Sequence, residues 1–467
     1  MGFNIKNICC IGAGYVGGPS MAVIAKYNPE IQINVVDINP ERIDAWNNKD
    51  LDKLPINEVG LSNIIKKYRG INLHFKKNIE EYISKADLIF LCVNTPTKIK
   101  GFGAGQASDL RWIETSVRQI AKSAKDNTII VQKSTIPVKT AETIKTLLNS
   151  KNTNNDNKKN FFVLSNPEFL SEGTAINDLN SPDRILIGGD DENAISALEK
   201  IYLKWLSPEK IIKLSLWSAE LSKLTANAFL AQRVSSINAI SSLCEATGAN
   251  VLEVSNAIGT DSRIGDKYLN PGPGFGGSCF KKDLLNLIYI YKFYGLNEFA
   301  EYWESILKLN TLHQIRISEL IVKKLFGTVS GKKIIILGFA FKKNTNDTRE
   351  SPAINICKHL LEEGAYLQIY DPKVSSKQIS IDLAREESLA NYSEEGSWSF
   401  TKDIKNAAVD SDAIIILTEW KEFAEIDWQN IAPLMRNPSW LFDTRNIANI
   451  KAAKNAGLRT WQIGMSF

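Results

Sequence analysis

A glycine-rich turn near the N-terminus constrains the fold of this chain more than any other feature. A short apolar run leads directly into Gly12, Gly14 and Gly17, spaced as G-x-G-x-x-G, and a helical pattern follows. A second apolar run then ends in Asp37, 20 residues past Gly17. Strand, glycines, helix, strand and acid in this order and spacing indicate a βαβ unit that binds a dinucleotide.

The same residues predict which dinucleotide binds. The glycines allow a tight turn and a close approach of the pyrophosphate, which the N-terminus of the following helix attracts. Asp37 is expected to bond the adenosine ribose hydroxyls and to repel a 2′-phosphate, so we predict NAD rather than NADP. Arg42 works against this preference, because a nearby arginine can accept that phosphate.

A second glycine-rich segment surrounds a single cysteine. Residues 272–278 contain four glycines and lead into Cys279, which Lys281, Lys282 and Asp283 follow at the start of an apolar helical run. A thiolate is stabilised at a helix N-terminus and beside lysines, so we interpret Cys279 as a nucleophile. The alternative is a structural cysteine in a tight turn, which is the commoner fate of a free cysteine.

The middle of the chain predicts one long helix. Residues 215–249 contain no proline and no glycine before Gly248, which indicates a helix of about thirty residues, or about 45 Å. Lys223 and Asn227 lie four residues apart and therefore on one face. Their small and apolar neighbours favour a functional pair, and the alternative is an ordinary solvated polar stripe.

Three further strand ends in the first half carry polar side chains. Glu168 and Glu172 follow one predicted strand, Ser134 and Thr135 follow another, and Thr95 follows a third. Functional residues of α/β sheets collect at the carboxyl ends of strands, so these groups predict the rim of a cofactor site. Taken singly, each could be turn chemistry instead.

The last third predicts a second α/β sheet that lacks the three-glycine motif. Phe341, Lys342, Arg349 and Arg445 follow its strands, where an anionic ligand is expected. We place a boundary near residue 328 and predict three domains: residues 1–212 as an NAD-binding Rossmann-like domain, 213–328 as a central helix with a helical dimerisation region, and 329–467 as a second Rossmann-like domain. Residues 149–160, rich in Asn and Lys, are expected to form a surface loop.

Composition excludes several classes of function. Lysine and arginine number 56 against 52 acids, without a basic run interleaved with aromatics, so nucleic-acid binding is disfavoured. No apolar stretch approaches the roughly 20 residues of a membrane span. Six scattered cysteines and no signal-like N-terminus favour a cytoplasmic protein. The three histidines lie away from the glycine-rich segments, so we predict no metal site.

Six motifs resemble one known family nearly end to end. They read Cys-Ile-Gly-Ala-Gly-Tyr-Val-Gly-Gly at 10–18, Val-Asn-Thr-Pro-Thr at 93–97, Ser-Asn-Pro-Glu-Phe-Leu at 165–170, Leu-Ser-Lys-Leu-Thr-Ala-Asn-Ala-Phe at 221–229, Gly-Phe-Gly-Gly-Ser-Cys at 274–279 and Gly-Phe-Ala-Phe-Lys-Lys at 338–343. Together they resemble the UDP-glucose/GDP-mannose dehydrogenase family, and most of all its animal-type members that oxidise UDP-glucose. The resemblance implies an α/β fold of two Rossmann-like doubly wound domains joined by a long central helix and a helical dimerisation region, with the last domain binding a UDP-sugar.

The resemblance also implies roles for individual residues. The catalytic set is Cys279 as nucleophile, Lys223 and Asn227 as oxyanion stabilisers, Asp283 for water positioning and proton transfer, Glu168 as base for hydrolysis, and Thr135 to order a water. The NAD-binding set is Gly12, Gly14, Tyr15, Val16, Gly17, Asp37, Arg42, Thr95, Ser134, Glu172, Lys282 and Arg349. The substrate-binding set is Phe169, Leu170, Lys223, Asn227, Arg263, Phe275, Gly276, Phe280, Phe341, Lys342 and Arg445, with Arg263 reaching the neighbouring subunit's substrate. The resemblance implies a homo-oligomer with a dimer as the minimum unit, and a hexamer stays open as the larger assembly.

The implied reaction explains why a cysteine accompanies NAD. Oxidation of the primary alcohol of UDP-glucose to the carboxylate of UDP-glucuronate removes four electrons, so two NAD molecules are reduced in turn. A thiolate can hold the intermediate aldehyde as a thiohemiacetal, whose oxidation gives a thioester that water hydrolyses. Two alternatives stay open: a dehydrogenase of another nucleotide sugar, such as GDP-mannose or UDP-N-acetylmannosamine, and a non-catalytic NAD-binding scaffold. One departure from the family is the loop at 57–61, which reads Asn-Glu-Val-Gly-Leu where the family tends to read Tyr-Glu-Pro-Gly-Leu.

Overall fold

The computed structural model describes residues 2–150, 159–388 and 395–466, so part of the loop expected at 149–160 lies outside the described residues. The chain divides into two compact units, which are Met1–Ala226 with Leu285–Tyr294 and Asn227–Leu284 with Gly295–Phe467. The three domains expected from the sequence stay a prediction.

An eight-stranded sheet forms the centre of the first unit. Its order is β3-β2-β1-β4-β5-β6-β7-β8, and every neighbouring pair is parallel except β6 with β7. The strands are β1 Asn7–Ile11, β2 Gln32–Val36, β3 Leu73–Lys76, β4 Leu88–Leu91, β5 Thr128–Gln132, β6 Phe161–Ser165, β7 Ile185–Gly188 and β8 Ile211–Leu214. The helices between them are α1 Gly17–Tyr27, α2 Pro40–Trp46, α3 Leu61–Tyr68, α4 Ile79–Lys85, α5 Arg111–Ser123, α6 Thr140–Asn149, α7 Ala175–Asn180 and α8 Glu192–Tyr202.

The strands of this sheet form where the sequence has short, continuous apolar runs. All four residues of β4 and all five of β5 are buried. Helices cover both faces of a parallel sheet, so its inner strands need apolar side chains on both sides instead of an alternating pattern. This explains why β1, β4 and β5 could be found from the sequence.

Long helices make up the middle of the chain. They are α9 Leu216–Thr247, α10 Val251–Gly259, α11 Phe280–Phe293 and α12 Asn297–Lys324. The 32 residues of α9 confirm the single long helix expected from the absence of proline. Helix α11 begins at Phe280, which confirms that Cys279 stands at a helix start.

The second unit contains a parallel sheet of six strands in the order β11-β10-β9-β12-β13-β14. The strands are β9 Lys333–Leu337, β10 Tyr366–Tyr370, β11 Ser397–Phe400, β12 Ala413–Ile416, β13 Trp440–Asp443 and β14 Arg459–Gln462. The helices that follow β9 are α13 Pro352–Glu362, α14 Ser376–Leu383, α15 Ile404–Ala408, α16 Lys421–Ala424, α17 Trp428–Ile431 and α18 Ile450–Asn455. Ser351 caps α13 and Pro352 opens it, positions that suit a side-chain acceptor and a residue without a backbone N–H.

Two mostly parallel α/β sheets and a helical middle segment confirm the predicted fold class. Within the described ranges, no helix combines the length and the apolar character needed to cross a bilayer. No group of three or more His, Cys, Asp or Glu in the same ranges is arranged to hold a metal ion.

Candidate active site

The turn between β1 and α1 has the shape that a dinucleotide requires. Gly12 has φ +108°, and a Cβ at Gly17 would overlap the carbonyl oxygen of Gly12. A Cβ at Gly14 would meet no atom within 4 Å, and α1 has no side-chain cap at its N-terminus. Gly12 and Gly17 thus serve the tight turn itself, whereas the open space at Gly14 and the uncapped helix end fit a bound pyrophosphate.

Asp37 lies at the end of β2 and is buried, with 7% of its surface exposed. Its Oδ2 accepts a hydrogen bond from the backbone N–H of Ala13 at 2.8 Å, and its Oδ1 accepts one from Asn39 at 2.9 Å. Arg42 Nη1 lies 3.3 Å from Asp37 Oδ2. The positive charge of Arg42 is therefore engaged by Asp37, which leaves it poorly suited to bind a 2′-phosphate.

Two of the predicted strand ends are joined by hydrogen bonds. Thr95 Oγ1 donates to the carbonyl oxygen of Thr135 at 2.7 Å, and Ser134 Oγ donates to that of Val93 at 2.7 Å. These bonds hold the segments after β4 and β5 together. The structure thus brings Thr95, Ser134 and Thr135 into one rim, as the strand-end argument predicted.

Glu168 and Phe169 lie after β6 in a densely contacted segment. The Nζ of Lys133, a residue that the sequence argument passed over, is 2.6 Å from Glu168 Oε2. The ring of Phe169 has two cations over it, Lys223 Nζ at 4.9 Å from its centroid and Arg184 at 4.0 Å. Cation–π contacts of this kind fix a ring in one orientation. Leu170 is partly buried against the core of the same unit.

The altered loop at 57–61 keeps a structural carboxylate. Glu58 is 6% exposed and accepts hydrogen bonds from the Tyr15 hydroxyl and from the N–H groups of Gly173 and Ala175. Two of these donors lie at or just before the start of α7. Glu58 therefore ties the glycine-rich turn, through Tyr15, to the segment that follows Glu172, although the residues beside it differ from the family pattern.

In the second unit, the structure gathers an acid, an amide and a lysine beside the predicted nucleophile. Cys279 is exposed, and its carbonyl oxygen accepts a hydrogen bond from the Asp283 N–H at 2.9 Å. Asp283, only 1% exposed, accepts a hydrogen bond from Asn227 Nδ2 at 2.6 Å and lies 3.3 Å from Lys282 Nζ. Asn227 and Lys282 thus compensate the buried charge of Asp283.

The glycine-rich segment before Cys279 is held by the protein's own backbone and side chains. A Cβ at Gly276 would lie 2.5 Å from the carbonyl oxygen of Glu350, and a Cβ at Gly274 would lie 2.7 Å from Asn310 Oδ1. Asn310 also accepts a hydrogen bond from the N–H of Phe275 at 2.9 Å. These two glycines are therefore explained by close internal packing, so a close approach of ligand is not needed to account for them.

The predicted ligands on the second sheet are only partly gathered. Arg445 donates to the carbonyl oxygens of Leu417 at 2.8 Å and Phe341 at 3.2 Å, and its Nη1 is 3.3 Å from Glu419. Phe341 and Arg445 are thus neighbours. Further aromatic and cationic contacts of the predicted set are Phe275 with Phe280, 5.9 Å between ring centroids, and Lys342 over Phe341 at 5.4 Å.

Two predicted arginines have local partners instead. Arg349 Nε is 2.8 Å from Asp347, and Arg263 Nε is 3.0 Å from Asp261. The Arg263 side chain is 86% exposed. In this structure each arginine pairs with an acid two residues earlier in the chain, and the roles expected for both arginines stay predictions.

Comparison with known proteins identifies the relatives of this chain. Models of the UDP-glucose/GDP-mannose dehydrogenase family match along its length: the NAD binding domain at residues 6–206, the central domain at 217–312 and the UDP binding domain at 335–450.

Individual relatives agree with these matches. The chain is 50% identical to UDP-glucose 6-dehydrogenase 1 of Arabidopsis thaliana and to UDP-glucose 6-dehydrogenase 3 of Oryza sativa subsp. japonica, over 98% of this chain and 96% of each relative. Among solved structures, a UDP-glucose dehydrogenase from the archaeon Pyrobaculum islandicum is 27% identical with a TM-score of 0.83, covering 100% of this chain and 99% of the other. A UDP-D-ManNAc dehydrogenase from Pyrococcus horikoshii is 25% identical with a TM-score of 0.79, covering 98% and 99%.

Proposed function

This chain belongs to the UDP-glucose/GDP-mannose dehydrogenase family, and on that premise we propose that it oxidises UDP-glucose to UDP-glucuronate with NAD. One observation carries the proposal: the chain is 50% identical, over 98% of its length, to proteins named UDP-glucose 6-dehydrogenase. The open turn at Gly14 and the acid at the end of β2 fit NAD independently of that identity.

NAD supplies a hydride acceptor for each of two oxidations. The side chain of Cys279 adds its sulfur to the aldehyde carbon and forms a thiohemiacetal, whose oxidation leaves a thioester. Water then adds to the thioester carbonyl, the C–S bond breaks, and the products are the carboxylate and the Cys279 thiol. The exposure of Cys279 at the start of α11 suits a nucleophile that must reach a bound substrate.

We assign roles to the other proposed catalytic and substrate-binding residues from their charge and their position in the chain. Lys223 and Asn227, one turn apart on α9, stabilise the oxyanions of the two additions. Asp283 positions a water, with Asn227 bonded to its carboxylate. Glu168 takes the proton of the attacking water, and Thr135 orders that water. Around the UDP-sugar, Phe341 and Arg445 serve as an aromatic surface and a cation for the nucleotide and its phosphates.

We further propose that the working unit is at least a homodimer in the cytoplasm. The second unit exposes many large apolar side chains, among them Phe229, Leu243, Phe299, Tyr302, Leu309 and Leu312. All of them lie on the long helices α9 and α12. Large exposed apolar patches mark interfaces in soluble proteins, and we infer that these side chains form one. Arg263, highly exposed, is the residue we expect to reach the partner's substrate.

The decisive experiment measures NADH formed from a panel of UDP-glucose, GDP-mannose and UDP-N-acetylmannosamine. We expect UDP-glucose to be the preferred substrate, with two NADH per molecule consumed and no free aldehyde. Cys279→Ala should form no acid, whereas the buried Cys244→Ala, as matched control, should keep the stoichiometry. One NADH per substrate, acid formation by Cys279→Ala, or preference for another sugar would each refute the proposal.

A further inference from the structure

A fully buried lysine stands beside the proposed hydrolytic base. Lys133 follows β5 directly, its side chain is 1% exposed, and its Nζ lies 2.6 Å from Glu168 Oε2. A lone ammonium at such a depth would cost several kcal/mol. Burial opposes the charged form of Lys133, but Glu168 beside it keeps the pKa of Lys133 above its ordinary value. The lysine is therefore a permanent cation with one carboxylate partner.

A rigid set of hydrogen bonds fixes the position of this cation. Lys133 Nζ donates to Asn166 Oδ1 at 3.3 Å, and the Tyr202 hydroxyl donates to the same oxygen at 2.6 Å. The other end of the Asn166 amide donates to the carbonyl oxygen of Leu186 at 2.8 Å. Asn166 and Tyr202 are both buried. The ammonium is thus held by Asn166 and Glu168, which follow β6, and Tyr202 of α8 fixes the amide of Asn166.

The same cation fixes the carboxylate. Glu168 Oε1 accepts a hydrogen bond from the N–H of Phe169 at 2.8 Å, and Oε2 lies 2.6 Å from Lys133 Nζ and 3.5 Å from Ser20 Oγ. With a donor on each oxygen, the carboxyl plane has one orientation. The Glu168 side chain is 11% exposed, which leaves limited access for water and substrate.

We propose that Lys133 is a positioning residue for hydrolysis: it keeps Glu168 negatively charged and aimed at one point, so that Glu168 is ready to accept a proton. The inference rests on the proposed function, in which Glu168 takes a proton from water while the water oxygen bonds to the thioester carbon and the Cys279 sulfur leaves. A protonated or rotated carboxyl could not take that proton. Lys133 makes no contact with the reacting atoms in this account and acts only through Glu168.

The other titratable groups that face this ion pair do not replace the cation. They are Tyr202 on α8, Cys10 on β1 and Cys92 after β4. Burial raises the pKa of Tyr202 and of Cys10, so both stay neutral at physiological pH. Substitution of Lys133 would therefore leave Glu168 without the cation 2.6 Å from its carboxylate.

The test compares Lys133→Met with the parent in single-turnover reactions between pH 5 and 9. Methionine keeps the length of the side chain and removes its charge. We expect NADH formation to persist, the thioester on the peptide containing Cys279 to accumulate near neutral pH, and the acid limb of hydrolysis to move to higher pH, because an opposite charge beside a carboxylate favours its charged form. Lys122→Met, which removes an exposed lysine paired with Glu80, is the matched control and should leave that limb in place.

Several outcomes separate the possible failures. If the parent forms no NADH from UDP-glucose, the proposed function is wrong and this inference falls with it. If the parent forms two NADH and Lys133→Met loses thermal stability without a shift of the acid limb, Lys133 is only structural. Should Lys133→Met not fold, isotope-edited infrared difference spectra of the parent minus Glu168→Gln at pH 6 decide the question. A carboxylate band supports the inference, and a protonated carboxyl band overturns it.

Discussion

At the scale of single residues, the contact between Asp37 and Arg42 predicts a preference for NAD over NADP. Asp37 accepts two backbone hydrogen bonds and holds the Arg42 guanidinium at 3.3 Å. In Asp37→Ser the carboxylate for the ribose is lost and Arg42 is released. A hydrogen bond to a charged group contributes about 1.5–3 kcal/mol, so we expect kcat/KM for NAD to fall about tenfold to a hundredfold.

The same variant should use NADP better than the parent does. Asp37→Ser with Arg42→Ala removes the released cation and serves as control, because it should lose NAD affinity without gaining NADP. Kinetics with both cofactors at equal concentrations measure the ratio. Comparable turnover of the parent with NADP would contradict the assignment of Asp37.

Glu220 makes stability depend on pH. It is 2% exposed, and its carboxylate accepts hydrogen bonds from the N–H groups of Lys139 at 2.7 Å and Ala141 at 2.8 Å, at the start of α6. Burial outweighs these bonds and raises the pKa of Glu220 to about 7. Because the folded pKa lies above the unfolded one, the protonated form favours folding. This contribution is complete below about pH 4.5 and is lost as pH rises through 7.

Urea unfolding at pH 5, 6, 7 and 8 checks this consequence. Since each pKa unit is about 1.4 kcal/mol, the parent should lose stability of the order of a few kcal/mol between pH 5 and 8 relative to Glu220→Gln. Glu142→Gln, an exposed position on α6, should follow the parent. Equal slopes for the parent and Glu220→Gln would rule out the raised pKa.

Some of the proposed site residues could be predicted from sequence patterns. Others could not, because their partners lie far away in the chain. Cys279 was visible because glycines and lysines flank it in the chain, and Asp37 because its spacing from the glycines is fixed. Lys133 and Glu58 were not assigned roles, because their partners lie far away in sequence: Glu168 is 35 positions from Lys133, and Gly173 is 115 from Glu58. Burial of a charged side chain is a tertiary property that local spacing does not encode.

At the scale of elements, the β1–α1 turn contains two glycines with different surroundings: a side chain at one would clash, and a side chain at the other would not. Gly17 packs against the carbonyl of Gly12, whereas the space beside Gly14 is open. Gly17→Ala should therefore destabilise the first unit, by about 1–3 kcal/mol from overpacking. Gly14→Ala should fold normally and bind NAD more weakly, because its methyl group would enter the open space that we predict for the pyrophosphate.

Thermal unfolding without cofactor and NAD titration by fluorescence separate the two effects. If Gly14→Ala binds NAD as the parent does, the pyrophosphate lies elsewhere. If Gly17→Ala is as stable as the parent, the turn relaxes more easily than its geometry indicates. Gly2→Ala, also in open space, is the control for the substitution itself.

Strands with a continuous apolar sequence could be predicted, whereas the tertiary contacts that hold the loops in place could not. The strands β9 and β12 form at continuous apolar runs of the sequence, since strands covered on both faces of a parallel sheet need apolar side chains on both sides. In the segment before Cys279, the structure packs Gly276 against Glu350 and Gly274 against Asn310, contacts that only the folded chain reveals.

At the scale of the whole molecule, the exposed apolar side chains of α9 and α12 predict that assembly is required for activity. Leu312 is 48% exposed on α12, and a glutamate there would place a charge in the proposed interface. We expect Leu312→Glu to sediment as a monomer and to lose most of its activity. Val59→Glu, at an 84% exposed position in the first unit, should assemble and react as the parent does. Full activity of a monomeric parent in light scattering would refute the requirement.

The distribution of cysteines leaves one thiol accessible to a labelling reagent. All six thiols are free; Cys9, Cys10, Cys92, Cys244 and Cys357 are buried, and Cys279 alone is exposed. A thiol-reactive dye added to the native protein should therefore attach once per chain, and fully only after denaturation. Because Cys279 is the proposed nucleophile, the dye bound per chain should count the molecules able to react, so the active fraction can be measured by stoichiometric titration without adding substrate.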